Sequence, residues 1–199
     1  MAQLGRPREF DVDEALDKAM DAFWARGYEA TSVADLMGAM GLQKGSIYKA
    51  FGDKHSLFLR ALDRYLDEVI EAVKSAISSA PDERMAVRGW LSGVVAGRCS
   101  RSNRRRGCFA INSLVELAPH DPEVNTRLRR HLEQLRGLIV PVVAAGQSKG
   151  LLRDNASAEA ATDMLIAFVQ GIVADARLGR PAEHSSRLME TVLGLVEAK

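Results

Sequence analysis

Residues 31–51 read TSVADLMGAMGLQKGSIYKAF, and this stretch decides the fold. Val33, Leu36, Met37 and Met40 recur at i, i+3, i+4 and i+7, which predicts a short helix burying one side. Thr31 or Ser32 can cap its start, because a hydroxyl accepts from an orphan amide of the first turn. Gly41 ends it, since glycine enters the left-handed conformation without a Cβ clash. A second short helix over 43–50 is divided by face. Ile47 and Ala50 lie on one side, and Lys44, Gly45, Tyr48 and Lys49 lie on the other. Core packing needs only the first side. The second side suits a helix in the major groove: cations for phosphates and guanine edges, and a glycine where backbone approaches closely. The pair predicts a helix-turn-helix with 43–50 as the recognition helix.

The run from Thr31 to Phe58 resembles the helix-turn-helix of TetR-type transcriptional regulators. The resemblance rests on Gly41, Leu42, Lys44, Gly45, Ser46, Ile47, Tyr48 and Phe51, followed by Lys54, Leu57 and Phe58 at fixed spacing. It covers about the first third of the chain; the rest is similar in length and helical organisation. Met37, Gln43 and Ala50 depart from the residues usual in the family, the last two where they change which bases or phosphates are touched. The resemblance implies an all-α chain: an N-terminal three-helix DNA-binding domain over 1–52 and a helical ligand-binding and dimerisation domain over 53–199.

Composition is that of an ordinary globular chain. Of 199 residues, 47% are hydrophobic and 27% charged, and the net charge is only +1. A nucleic-acid partner must therefore be argued locally. Residues 43–60 supply the local case, with Lys44, Lys49, Lys54 and Arg60 against Asp53 alone. The start MAQLGRPREF has no apolar signal region, and no apolar run reaches membrane-span length, so a cytoplasmic chain with reduced thiols is expected. No nucleophile elbow, P-loop or paired-carboxylate pattern points to an enzyme, and no cofactor is implied. Cys99 and Cys108, with scattered His120 and His131, lack zinc-ligand spacing.

Arg6 and Arg8 make a basic point on an N-terminal arm, which is either a phosphate or minor-groove contact or a solvated terminus. Helix one is expected over 12–26, capped by Asp11, with Glu14 completing a capping-box-like pair and Leu16, Ala19, Met20 and Phe23 buried. A long helix from Lys54 to about Ile77 follows an Asp53 cap and runs out of the DNA-binding domain, where it either acts as a lever for ligand state or simply fills the core. A fifth helix covers about 83–97. RCSRSNRRRG at 98–107 carries five arginines, either as a solvated loop or as a site for an anion. A sixth helix is expected over 108–118 and a seventh from Pro122, kinked at Pro141 and fraying at Gly146 and Gly150, with 151–155 a loop. The last two helices cover 157–178 and 183–198.

Candidate DNA contacts are Arg6, Arg8, Thr31, Ser32, Gln43, Lys44, Gly45, Ser46, Tyr48, Lys49 and Lys54. Lys44 is placed at a base edge, and Tyr48, Lys49 and Lys54 on phosphates. A mostly apolar pocket among helices five to eight is expected, lined by Trp90, Val94, Cys108, Asn112, Met164 and Phe168, although apolar helix faces are usually core and each of these residues reads that way too. Asn112 bonds either backbone or ligand. Cys99 and Cys108 flank the arginines, which favours a reactive thiolate, against the plainer reading of Cys108 as a small buried residue. The resemblance implies that Leu165, Val169, Ile172, Leu188, Val192 and Val196 lie in a four-helix interface between two copies. A helix hairpin this apolar needs a cover, either its own copy or the monomer core. The expected function is a ligand-responsive repressor acting as a homodimer on a near-palindromic operator, with a helical small-molecule-binding protein as the alternative.

Overall fold

A computed structural model describes residues 10–98 and 106–198. Among them are nine helices: α1 (Val12–Arg26), α2 (Val33–Met40), α3 (Lys44–Phe51), α4 (Lys54–Ser78), α5 (Glu83–Arg98), α6 (Phe109–Glu116), α7 (Pro122–Ser148), α8 (Ala158–Arg177) and α9 (Ala182–Val196). The all-α expectation holds, with element boundaries within about two residues of those read from the periodicity. Arg6, Arg8 and Cys99, like most of the arginine run, lie outside the described residues.

The chain forms two compact units, Met1–Leu62 and Asp63–Lys199. The boundary thus falls inside α4, ten residues beyond the expected 52, because the first two turns of α4 belong to the N-terminal core. Phe58 meets Phe23 edge-on at 5.2 Å and Tyr28 at 5.0 Å, and Leu57 and Leu62 are fully buried. Each such side chain contributes roughly 1.5–3 kcal/mol of burial, which ties those turns to α1.

Local chemistry explains the helix starts. Asp11 accepts from the amides of Asp13 and Glu14 at 2.9 and 3.1 Å, while Glu14 pairs with Lys18 instead of returning to the cap. Ser32 and Asp35 form a reciprocal capping box, with Asp35 N–H donating to the Ser32 hydroxyl at 3.1 Å and Ser32 N–H to Asp35 at 2.9 Å. Those bonds from Ser32 hold the Asp35 carboxyl below its ordinary pKa. Gly41 adopts φ 68°, so the turn into α3 requires glycine or strain.

In the second unit the core is built from α4, α5, α7, α8 and α9 around Trp90, Leu91, Leu135, Ile139, Leu165 and Leu193. α7 runs through Pro141 without ending, although the ring deletes one amide donor. Its last turns do not fray. The Gly146 carbonyl accepts from Leu151 and Leu152 at 2.9 and 3.1 Å. The 151–155 segment is anchored too: Leu152 is buried and bridges Glu197, and Arg153 N–H donates to the Val196 carbonyl at 2.8 Å. Arg88 forks onto Glu190 at 2.8 and 3.0 Å and reaches Glu197 at 3.1 Å, fastening α5 to α9 and the residue after it.

Candidate functional site

α3 has the two-faced character expected of it. Ile47 and Phe51 are buried, while Gln43, Lys44, Gly45, Tyr48 and Lys49 are exposed. A Cβ added at Gly45 would meet no atom within 4 Å, so nothing in the chain itself requires glycine there. Ser46 is half-buried. Lys44 and Tyr48 sit one turn apart, with the ammonium 5.4 Å from the ring centroid. Lys54, at the start of α4, lies 4.2 Å over the Tyr28 ring, which is itself packed against Phe58. Such contacts are worth about 0.5–1 kcal/mol at exposed sites, enough to favour one placement of a mobile lysine. Among the described residues no carboxylate pairs with Lys44, Lys49 or Lys54. Asp53 is occupied as the cap of α4, accepting from Ser56 N–H at 2.7 Å, and that bond lowers its pKa.

Two expectations change here, those for Thr31 and Arg60, and the capping expected of Thr31 or Ser32 falls to Ser32. Thr31 is fully buried, and its hydroxyl donates to the Gly27 carbonyl at 2.6 Å, so it braces the α1–α2 turn and presents nothing to a phosphate. Ser32 is exposed, but its hydroxyl is the α2 cap and also donates to Asp35 at 2.6 Å. Arg60, counted with the basic patch, lies over the Phe51 ring at 4.7 Å and donates to the Ala50 carbonyl at 3.1 Å, closing the C-terminal end of α3.

In the second unit a cavity of about 100 Å³ is lined by Trp90, Val94 and Cys108, as expected, and also by Tyr65, His131 and Gln170. The expected Asn112, Met164 and Phe168 are not on its wall. Asn112 donates to the Arg106 carbonyl at 2.8 Å and accepts from Arg177 at 2.6 Å, so it fastens the segment before α6 to the end of α8. Met164 is 46% exposed and faces a different groove beside Val87 and Leu152. Phe168 packs into the α8 side of the core. The Tyr65 hydroxyl donates to Cys108 Sγ at 3.2 Å.

In sequence His131 reads only as a poor zinc ligand, scattered with His120 around two cysteines nine apart. Its place in the α7 stripe between Leu128 and Leu135 was the available signal. It is buried, its Nδ1 has no hydrogen-bond partner, and burial lowers its pKa to about 4, opposed by nearby Asp67.

Of the residues expected between two copies, Leu165 and Ile172 are buried inside their own unit and serve its core. Val169, Leu188, Val192 and Val196 are half-buried, and Val169 also lines the cavity. The exposed side of α8 instead carries Ala160, Met164, Ala167, Gly171 and Ala174.

A reciprocal capping box, a left-handed glycine turn and an outward helix of unpaired lysines define a helix-turn-helix DNA-binding protein. The chain belongs to the TetR family of bacterial transcriptional regulators. Residues 15–61 match the family described as bacterial regulatory proteins, tetR family, and residues 86–192 match the tetracyclin repressor-like C-terminal domain. It is 32% identical over 192 residues to the HTH-type transcriptional repressor ComR of Escherichia coli strain K12, covering 96% of this chain and 91% of that one. It is 29% identical over 180 residues to the repressor BdcR of the same strain, covering 90% and 86%. Among solved structures it is similar to a cysteine mutant of the TetR family regulator CifR complexed with 26 bp double-strand operator DNA. That match has a TM-score of 0.84 and 30% identity, over 96% of this chain and 100% of that one. The chain is a DNA-binding transcriptional regulator, a regulatory and not an enzymatic role. No helix among the described residues is long and apolar enough to cross a membrane.

Proposed function

We propose that the protein is a repressor that holds a near-palindromic operator as a homodimer and releases it when a small molecule occupies the second unit. The observation that carries the DNA half is the outward face of α3, where two unpaired lysines and a tyrosine flank a glycine surrounded by open space. On that face Lys44 reads a base edge, with Gln43 beside it at the start of the helix. Lys49, Tyr48 and Lys54 position the protein on phosphates. Arg6 and Arg8 extend the contact from the arm. The relatives named above are repressors, and the CifR structure contains operator DNA.

Dimerisation uses the exposed stripe of α8, Ala160, Met164, Ala167, Gly171 and Ala174, together with Gly194 and Leu195 on α9. Small residues allow two helices to approach closely, and Leu195, 61% exposed, supplies apolar area to cover. Two copies put two recognition helices on one DNA face, with half-sites about one helical turn, or a multiple, apart. An effector that favours a state with a different spacing lowers operator affinity through its differential binding alone.

Selection of duplexes from a random pool by the purified, reduced protein tests this reading. A twofold-symmetric motif is the expected result, with binding that falls steeply in salt. No enrichment by a dimer free of bound ligand would leave a helical small-molecule-binding protein in its place.

A further inference from the structure

The cavity of the second unit has a chemistry of its own. Its wall contains Tyr65, Trp90, Cys108, His131 and Gln170 among aliphatic side chains, and no lysine, arginine, aspartate or glutamate. An ion entering it would lose its water with no counter-charge in the wall, which is strongly unfavourable. The Tyr65 hydroxyl already has a partner in Cys108 Sγ. His131 differs. Only 6% exposed, it lines the cavity, yet its Nδ1 has no partner. A buried polar atom left unpaired costs free energy that a ligand atom can recover. Burial keeps the ring uncharged at neutral pH, so it offers one N–H and one lone pair, not a cation. A smaller cavity of about 40 Å³ shares both His131 and Gln170.

We propose that this cavity binds a small, uncharged, largely apolar molecule carrying one hydroxyl or carbonyl oxygen, and that His131 is the residue that recognises that oxygen. The proposal rests on the effector reading above and narrows it to a ligand class. An apolar cavity of about 150 Å³ accommodates benzene, so one of about 100 Å³ suits a compact molecule of similar or smaller bulk. A hydroxyl fits either tautomer of a neutral imidazole, because it both donates and accepts; a carbonyl fits the tautomer protonated at Nδ1. Phosphorylated, carboxylate-bearing and ammonium-bearing molecules are disfavoured, because the wall holds no charged side chain and the Asp67 carboxylate that acts on His131 lies outside it.

Three nearly isosteric probes test this on the full chain: cyclopentanol, methylcyclopentane and cyclopentylammonium, titrated by ligand-observed NMR against wild-type protein and His131→Leu. Wild type is expected to bind the alcohol and the hydrocarbon but not the ammonium ion. In His131→Leu the preference for alcohol over hydrocarbon should fall about tenfold, with hydrocarbon binding kept. An unchanged preference, or ammonium bound as well as alcohol, overturns the proposal. If His131→Leu does not fold, the His131 ring nitrogens of the wild-type chain are read instead. They should shift with cyclopentanol and not with methylcyclopentane, and an Nδ1 signal that ignores both also overturns it. Operator release is scored separately. Alcohol that binds through His131 without releasing operator leaves the ligand class standing and removes its regulatory role. Release by some other compound, with no probe entering the cavity, does the reverse.

Discussion

The outward face of α3 and the wall of the second-unit cavity place function on opposite sides of the fold's own needs. Lys44, Gly45 and Lys49 are exposed and unpaired, so folding asks little of them. Tyr65, Trp90 and His131 are buried, and any ligand they meet competes with the packing they already supply. Recognition and stability should therefore separate by mutation in the first unit and remain entangled in the second.

The largest test of that contrast compares neighbours on α8. Leu165→Ala should cost about 2–5 kcal/mol of stability through the cavity it leaves, read by chemical denaturation. Met164→Ala, one residue away but exposed, should leave the unfolding of the unit within about 0.5 kcal/mol and weaken only self-association. Equal losses would mean that the buried and exposed sides of α8 are misplaced.

Acid probes the same entanglement at His131. The unfolded chain binds a proton near the ordinary pKa of 6.5, and the folded chain resists it until about 4. Between those values the unfolded state holds more protons. The contribution is thus complete above pH 6.5 and is lost as pH falls toward 4, amounting to on the order of 3 kcal/mol. The difference in unfolding free energy between wild type and His131→Leu, measured at pH 7 and at pH 4.5, isolates it. A difference that does not change with pH would place solvent, not packing, around the ring.

In the first unit the effect should move to binding. Gly45→Leu is expected to weaken operator affinity by about 2 kcal/mol or more, because the backbone can no longer approach the duplex. Its thermal midpoint should hold or rise, since glycine inside a helix is unfavourable by up to about 1 kcal/mol. A lowered midpoint with unchanged affinity would reverse the assignment. The smallest expected change is Lys49→Ala, which should reduce the salt slope of binding by about one counterion on every duplex. Ser32→Ala guards the contrast from within the same stretch: as a cap it should cost about 1 kcal/mol of stability and leave the salt slope alone.

The degree to which each unit was legible follows the same division. The helix-turn-helix could be read directly because its determinants are local: a stripe at helical spacing, a hydroxyl at the helix start, a glycine at the turn, and lysines opposite Ile47. Thr31 was misread because a hydroxyl at a helix start serves either as cap or as brace, and only the Gly27 carbonyl 2.6 Å away decides between them. The second unit depends on contacts far apart in sequence. Cys108 meets Tyr65, Asn112 meets Arg177, and Arg88 meets Glu190, pairings that no periodicity announces. Leu165 and Ile172 were correctly seen as one stripe of α8, but a stripe does not say whether its own core or a second copy covers it. His131 occupied a stripe position as well, yet its polarity drew attention to metals and away from packing.

Gly146 has a historical consequence. A methyl there would fall 2.7 Å from Leu152 Cδ1 and 3.2 Å from Glu83 Cβ, at the corner where α7 ends and the following segment turns back. Positions 146 and 152 are therefore one trait and not two. A lineage cannot enlarge the first without trimming or displacing the second, and the intermediate carrying both bulky side chains is the one selection would meet first. Divergence of this regulator should have to pass that corner by paired replacement, smaller residue first, while the exposed α3 face stays free to drift one residue at a time toward new operators.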